Sequence, residues 1–299
     1  MRAESHFPTK NEAFELLRGV CPNDLDSYKV GGSRKEVYGC NACPSFTGMS
    51  GNSAGLSGGT AGSFLVQSVI YGHFTARDHD EGVLSFAGCE GPPENQGASV
   101  LLRKTVDGWQ KVSYLPSVRF WGDGLPRAHG EPSVGCQAYD LKDKRQILLC
   151  EDVYIGQGVY EWRIGTLDLA EPGKPTGQDL CFVSDDTNFC AEGEHSWTVA
   201  SIDRVEIQDL NKDGMPDVSV FAKIARVNAR ERDENGCPKG WRADNRTGGY
   251  LRDSSQVKTY RLDFLFNGKT FKLAPWSAGA KNLVREMYST CPECFHIEM

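Results

Sequence analysis

The stretch IQDLNKDGMPDVSVFA, residues 207–222, decides how the rest of the sequence is read. Asp209, Asn211, Asp213 and Asp217 carry oxygen side chains at even intervals along a short loop, and Gly214 permits a sharp bend there. A loop of this kind folds its oxygens around one hard cation. Ca²⁺ suits it, because calcium accepts several oxygen ligands at adaptable geometry, and Met215 would add a backbone carbonyl. An EF-hand is disfavoured, since it needs a bidentate Glu at the twelfth position, which here is Val220. The residues that follow, VSVFA, are β-branched and aromatic, so the loop leads into a strand and not a helix.

Further upstream the same shape recurs. YGHFTARDHDEGVLSFAGCE from Tyr71 and AYDLKDKRQILLCED from Ala138 each run from an apolar approach through a polar loop into an apolar strand. The anchors Gly72, Asp140 and Asp209 stand 68 and then 69 residues apart, which is self-similarity at a fixed period. Two hairpins also correspond, LLRKTVDGWQKVSYLPS and RLDFLFNGKTFKLAPWS. Their turn pairs, Asp107-Gly108 and Asn267-Gly268, suit the positive-φ positions of tight turns. Short apolar runs at 63–70, 82–86, 98–103, 146–150 and 218–222 read as strands. One helix has both start and stop signals. Thr9 caps it, Glu12 completes a capping box, Ala13, Leu16 and Leu17 form its apolar face, and Gly19 ends it. Residues 30–62 are rich in Gly, Ser and Asn and read as loops around short strands.

The motif of Asp209, Asn211, Asp213, Gly214 and Asp217, with Val218-Ser219-Val220 behind it, resembles the FG-GAP or VCBS-type repeat. That repeat builds the calcium-loop propellers of integrin α-chains and many secreted bacterial proteins. The resemblance is specific over about 20 residues. Gly72-His73-Phe74 resembles the family's glycine-phenylalanine portion, but its loop at 75–81 lacks the ligand spacing. Lys142, Lys144 and Arg145 in the second copy oppose a cation. The resemblance implies an all-β, propeller-like fold of antiparallel blades with a short N-terminal helix. It is read as a single domain over 1–299, with 1–62 as the helix and loop-rich segment and 63–299 as the repeat region. It implies one structural Ca²⁺ held by Asp209, Asn211, Asp213, Met215 and Asp217.

Lys plus Arg number 33 against 40 Asp plus Glu, a net charge of −7, which argues against nucleic-acid and anionic-membrane partners. No run of about 18 apolar residues marks a membrane-spanning helix. The 11 cysteines exceed what a reducing cytosol favours without metal, so a secreted or periplasmic location is expected, with a leader absent from this sequence. Cys40-x-x-Cys43 and Cys291-x-x-Cys294 leave several readings open. They fit disulfide staples near the two ends of a closed ring, unpaired thiols, a four-thiolate zinc site, or a redox pair. Cys181 and Cys190 are a further candidate bridge, while Cys89 and Cys150 on apolar strands read as core residues.

Asp78, His79, Asp80 and Glu81, with His73 upstream, offer carboxylates and imidazole for acid–base chemistry. The blander reading is a solvated turn. Trp121, Trp162, Trp197 and Trp241 sit among polar, Gly-rich segments that could stack on sugars or anchor a protein, and also fit core packing. Asn245-Arg-Thr is a glycosylation sequon whose meaning depends on the source. The functional expectation is an exported, calcium-binding recognition protein whose partner is a protein, such as an adhesion partner or an inhibited toxin, or a glycan. The alternative is a secreted or periplasmic hydrolase using the Asp78, His79, Asp80 and Glu81 cluster.

Overall fold

A computed structural model describes residues 5–29, 36–42, 44, 64–87, 98–115, 135–156, 159–185, 197–227, 242–243, 250–251 and 258–280. Among the described residues the chain is mostly β-strand with one short α-helix, and one of its sheets is curled without closing. Its contacts divide it into two compact units, one of residues 1–151 with 166–177, the other of 152–165 with 178–299.

In the first unit, α1 (Lys10–Arg18) forms as the sequence dictates. The Thr9 side chain and Glu12 make a reciprocal capping box, and Ala13, Leu16 and Leu17 are fully buried. Beside it lies a six-stranded antiparallel sheet in chain order, made of β1 (Leu25–Lys29), β2 (Glu36–Cys40), β3 (Phe64–Gly72), β4 (Glu81–Ala87), β5 (Ala98–Thr105) and β6 (Gly108–Leu115). The helix touches β1, β2 and β6, so both edges of this sheet meet on one helix. Gly19 shows how tightly, since a Cβ there would stand 2.3 Å from the Trp109 carbonyl oxygen.

Side chains alternate between the faces of a strand, and here both faces are buried. Val66, Val69, Leu84, Phe86, Val100 and Leu102 pack with the helix. Ile70, Val83 and Leu101 pack on the opposite side with Ala138 and Leu148. Val66 and Val69 share a face despite odd spacing because the β3–β4 register shifts between Val66 and Ser68. Burial on both sides explains why these strands read as nearly continuous apolar runs rather than alternating ones.

A second sheet runs β10-β9-β8-β7, from β7 (Cys136–Asp140), β8 (Gln146–Gly156), β9 (Val159–Asp168) and β10 (Thr176–Asp185). The divisions between the units, at 151/152, 165/166 and 177/178, fall inside β8, β9 and β10. In the second unit, β11 (Trp197–Gln208), β12 (Asp217–Val227), β15 (Lys258–Phe266) and β16 (Phe271–Leu273) pair in that order. The short β13 (Arg242–Ala243) and β14 (Tyr250–Leu251) pair with each other, and a 3₁₀ turn covers Pro275–Ala280. Val218 faces Phe264 and Val220 faces Leu262 across β12 and β15, which buries one face of that sheet. No described helix is long and apolar enough to cross a membrane.

All three repeated segments are antiparallel hairpins, β3–β4, β7–β8 and β11–β12. Both Asx-Gly pairs turn as expected, with Gly108 at φ 109° and Gly268 at φ 91°.

Candidate functional site

One position has the same job in the first and third hairpins. Glu81 opens β4 and Asp217 opens β12, and both are buried, at 1% and 0% exposure. Glu81 Oε2 accepts the backbone N–H groups of Phe74 and Thr75, at 2.9 and 2.8 Å. Asp217 Oδ2 accepts those of Leu210 and Asn211, at 2.8 and 3.3 Å. In each case the donors lie seven and six residues upstream, so one carboxylate ties down the start of each loop. Gln146 opens β8 and is also buried, and its amide donates back to Asp140 Oδ1. The pattern is visible in sequence as a polar residue just before each apolar strand, Glu81 before GVLSF and Asp217 before VSVF.

The carboxylates differ in how their charge is compensated. Glu81 Oε1 receives the Thr75 hydroxyl and two guanidinium N–H groups of Arg103, which comes from β5. Asp217 has a third backbone donor, Phe266 N–H at 2.9 Å on Oδ1, and no ion pair among the described residues.

Around Asp217 the loop 209–216 is wound by its own side chains. Asp213 N–H lies 3.0 Å from both Asp209 Oδ1 and Asn211 Oδ1, so these two oxygens converge on one point. Gly214 N–H donates to Asp209 Oδ2 and Met215 N–H to Asp213 Oδ1. Lys212 (φ 61°) and Gly214 (φ 82°) adopt the left-handed conformation that this winding requires. The expected ligand residues are thus brought into one loop with their oxygens turned to N–H groups. Among the described residues, no three His, Cys, Asp or Glu side chains are arranged to hold a metal.

Asp78, His79 and Asp80 lie on the loop between β3 and β4, and Glu81 is the first residue of β4. Glu81 takes five hydrogen bonds, which leaves it committed to the loop and to Arg103. Asp78 and Asp80 are three-quarters exposed and only within 4.0 Å of His79 and His73 respectively. His73 Nδ1 lies 2.7 Å from the His79 carbonyl oxygen, which can only accept, so that nitrogen donates and the ring is held in place. Beside this loop lies a cleft of about 480 Å³, walled by Tyr71, Trp109 and Gln146 and bearing Glu15, His73, Asp80 and Lys104. Composition did not reveal it, because its lining comes from α1, β3, β4, β5, β6, β8 and the 73–80 loop.

Two disulfides differ from the sequence expectation. Cys40 is bonded to Cys21, just beyond α1, and not to a cysteine near the far end of the chain. Cys150, expected as a core thiol, is bonded to Cys136, its cross-strand neighbour in the β7–β8 register. Cys181 is a free, fully buried thiol, and burial pushes its pKa up to about 12. Cys43, Cys89, Cys190, Cys237, Cys291 and Cys294, with Trp121, Trp241 and Asn245, lie outside the described residues.

On the face of β12 and β15 opposite Val218 and Val220, Asp263 gathers Ser219, Arg261 and the Trp276 indole N–H onto its carboxylate, at 2.6, 2.8 and 2.7 Å. Burial works to raise its pKa, but these hydrogen bonds and the Arg261 charge prevail and hold it below the ordinary value. Arg204 stacks on Phe221 at 3.6 Å on the same sheet.

No protein-family model matches the chain, and no curated protein or solved structure matches it significantly.

Proposed function

We propose that the chain is an exported recognition protein of propeller-like build, stiffened by one Ca²⁺ in the 209–217 loop, whose partner is a protein or a glycan. One six-stranded sheet, β1–β6, and two four-stranded sheets, β7–β10 and β11-β12-β15-β16, each carrying one of the repeated hairpins, support reading them as blades of a single repeat domain. The observation that carries the calcium reading is the contrast between Glu81 and Asp217. A buried carboxylate is costly without compensation, and among the described residues Glu81 has Arg103 while Asp217 has backbone dipoles alone. A divalent cation beside Asp217 would supply the missing charge, with Asp209, Asn211, Asp213 and the Met215 carbonyl completing an oxygen set. The side chains would only need to turn from N–H groups toward the ion. Two disulfides support export, since such bonds persist in oxidising compartments.

Thermal melting in calcium and in chelator tests the reading. Binding to the folded state alone adds about 2.7 kcal/mol at a hundredfold excess over Kd, so the melting temperature should rise by several degrees. Asp213→Ala should abolish that rise. An identical melt in calcium and chelator would sink the assignment.

A further inference from the structure

We infer that the cleft beside the 73–80 loop binds a neutral carbohydrate of one or two sugar rings. This deepens the recognition reading by naming a ligand class, and it does not depend on calcium occupancy. The floor is aromatic. Tyr71 on β3 and Trp109 on β6 stand with ring centroids 5.6 Å apart, tilted by 33°. Such rings offer a flat apolar surface to the C–H face of a sugar, and a volume of about 480 Å³ falls within the range of small-molecule sites.

The polar groups decide what kind of ligand fits. Several lining groups are already spent on the protein itself. The Tyr71 hydroxyl donates to Glu12, Gln146 bonds His73 N–H and Asp140, and Glu81 is saturated. Four groups remain for a ligand: the carboxylates of exposed Glu15 and Asp80, the Lys104 ammonium, and His73 Nε2. Lys104 Nζ lies 5.9 Å from the centroid of the Trp109 ring. Charges of both signs thus line the cleft, so neither an anion nor a cation finds a lining of uniformly opposite charge. A neutral polyol suits such a mixed lining, because each hydroxyl can donate to a carboxylate and accept from the ammonium, and can bond His73 Nε2 in either role. Orientation is built in, since His73 is fixed through Nδ1 and Trp109 is braced by Tyr71 and Lys104.

The test titrates the full chain with neutral cellobiose, chitobiose, mannobiose and lactose, and with digalacturonate and protonated glucosamine as charged contrasts. Calorimetry and tryptophan fluorescence report binding. At least one neutral sugar should bind saturably and more tightly than either charged one. Asp80→Ala should weaken it at least fivefold with an unchanged melting temperature, because that side chain is 75% exposed. Trp109→Ala should abolish binding, and Trp109→Phe, which keeps a ring against the core, should retain part of it. Failure of all four neutral sugars, preference for a charged contrast, or indifference to Asp80→Ala would overturn the inference. Asp213→Ala serves as the control that separates the two readings, since sugar binding should survive it even where the calcium response is lost.

Discussion

Arg103 hydrogen-bonds the wholly buried Glu81 carboxylate at 2.9 Å, with His79 Nδ1 farther off at 3.9 Å. Truncating Arg103 to Met would strand that carboxylate, at a cost of about 3–5 kcal/mol in urea unfolding, because an unpaired buried charge is the expensive outcome. The double variant Glu81→Gln with Arg103→Met should recover much of the loss, since a neutral amide can still accept the Phe74 and Thr75 N–H groups. Equal destabilisation of the single and double variants would contradict the charge argument. The residues of this site were unevenly legible. Asp217 belongs to a spacing rule and could be read directly, whereas Glu81 was read as one charge in a run with His79. Its longer side chain reaches the equivalent amides, and its counter-charge comes from 22 residues downstream, beyond any local pattern.

Local signals carried most of the elements. The helix start, the Asx-Gly turns and the apolar runs each depend on neighbours in sequence, and the strands at 64–72, 81–87, 98–105, 146–156 and 217–227 follow them. Disulfide pairing is different in kind, because it depends on which strands come to lie side by side. Cys136 meets Cys150 through the β7–β8 register, and Cys21 meets Cys40 because α1 ends against β2. The Cys21–Cys40 bond closes a separation of 19 residues, so replacing both with Ser should cost about 3 kcal/mol by the loop-entropy relation. Calorimetry of the variant checks this. Thiol titration of the denatured, unreduced chain should likewise find at most 11 − 4 = 7 free thiols, and a count of eleven would remove both bonds and the case for export.

At the scale of the molecule, acid should act on both units at once. Glu12 in the first unit feels burial, which raises its pKa, but hydrogen bonds from Tyr71, His6 and Thr9 outweigh it and the net shift is downward. Asp263 in the second unit is shifted the same way. A carboxyl whose pKa is lower folded than unfolded binds fewer protons in the native state. Its stabilisation is present above the ordinary values of 4.5 for Glu12 and 3.8 for Asp263, and is lost as pH falls below them. Urea midpoints should therefore drop between about pH 5 and pH 2, and Glu12→Gln with Asp263→Asn should flatten that limb. A limb unchanged by the double variant would assign the acid sensitivity elsewhere. The periodicity of 68 and 69 residues foretold three hairpins in three sheets, but not how their strands divide between two units, which depends on contacts distant in sequence.

The Cys136–Cys150 bond also sets how the protein would bear a load. It joins the first residue of β7 to its partner on β8, at the open end of the hairpin, with the turn at the other end. Tension applied through the chain on either side passes directly across the sulfur bridge. The segment between the two cysteines is mechanically shielded, so its hydrogen bonds cannot unzip one after another and its contour cannot lengthen. Stretching a single molecule should thus show an extension shorter by that segment until a reductant is added.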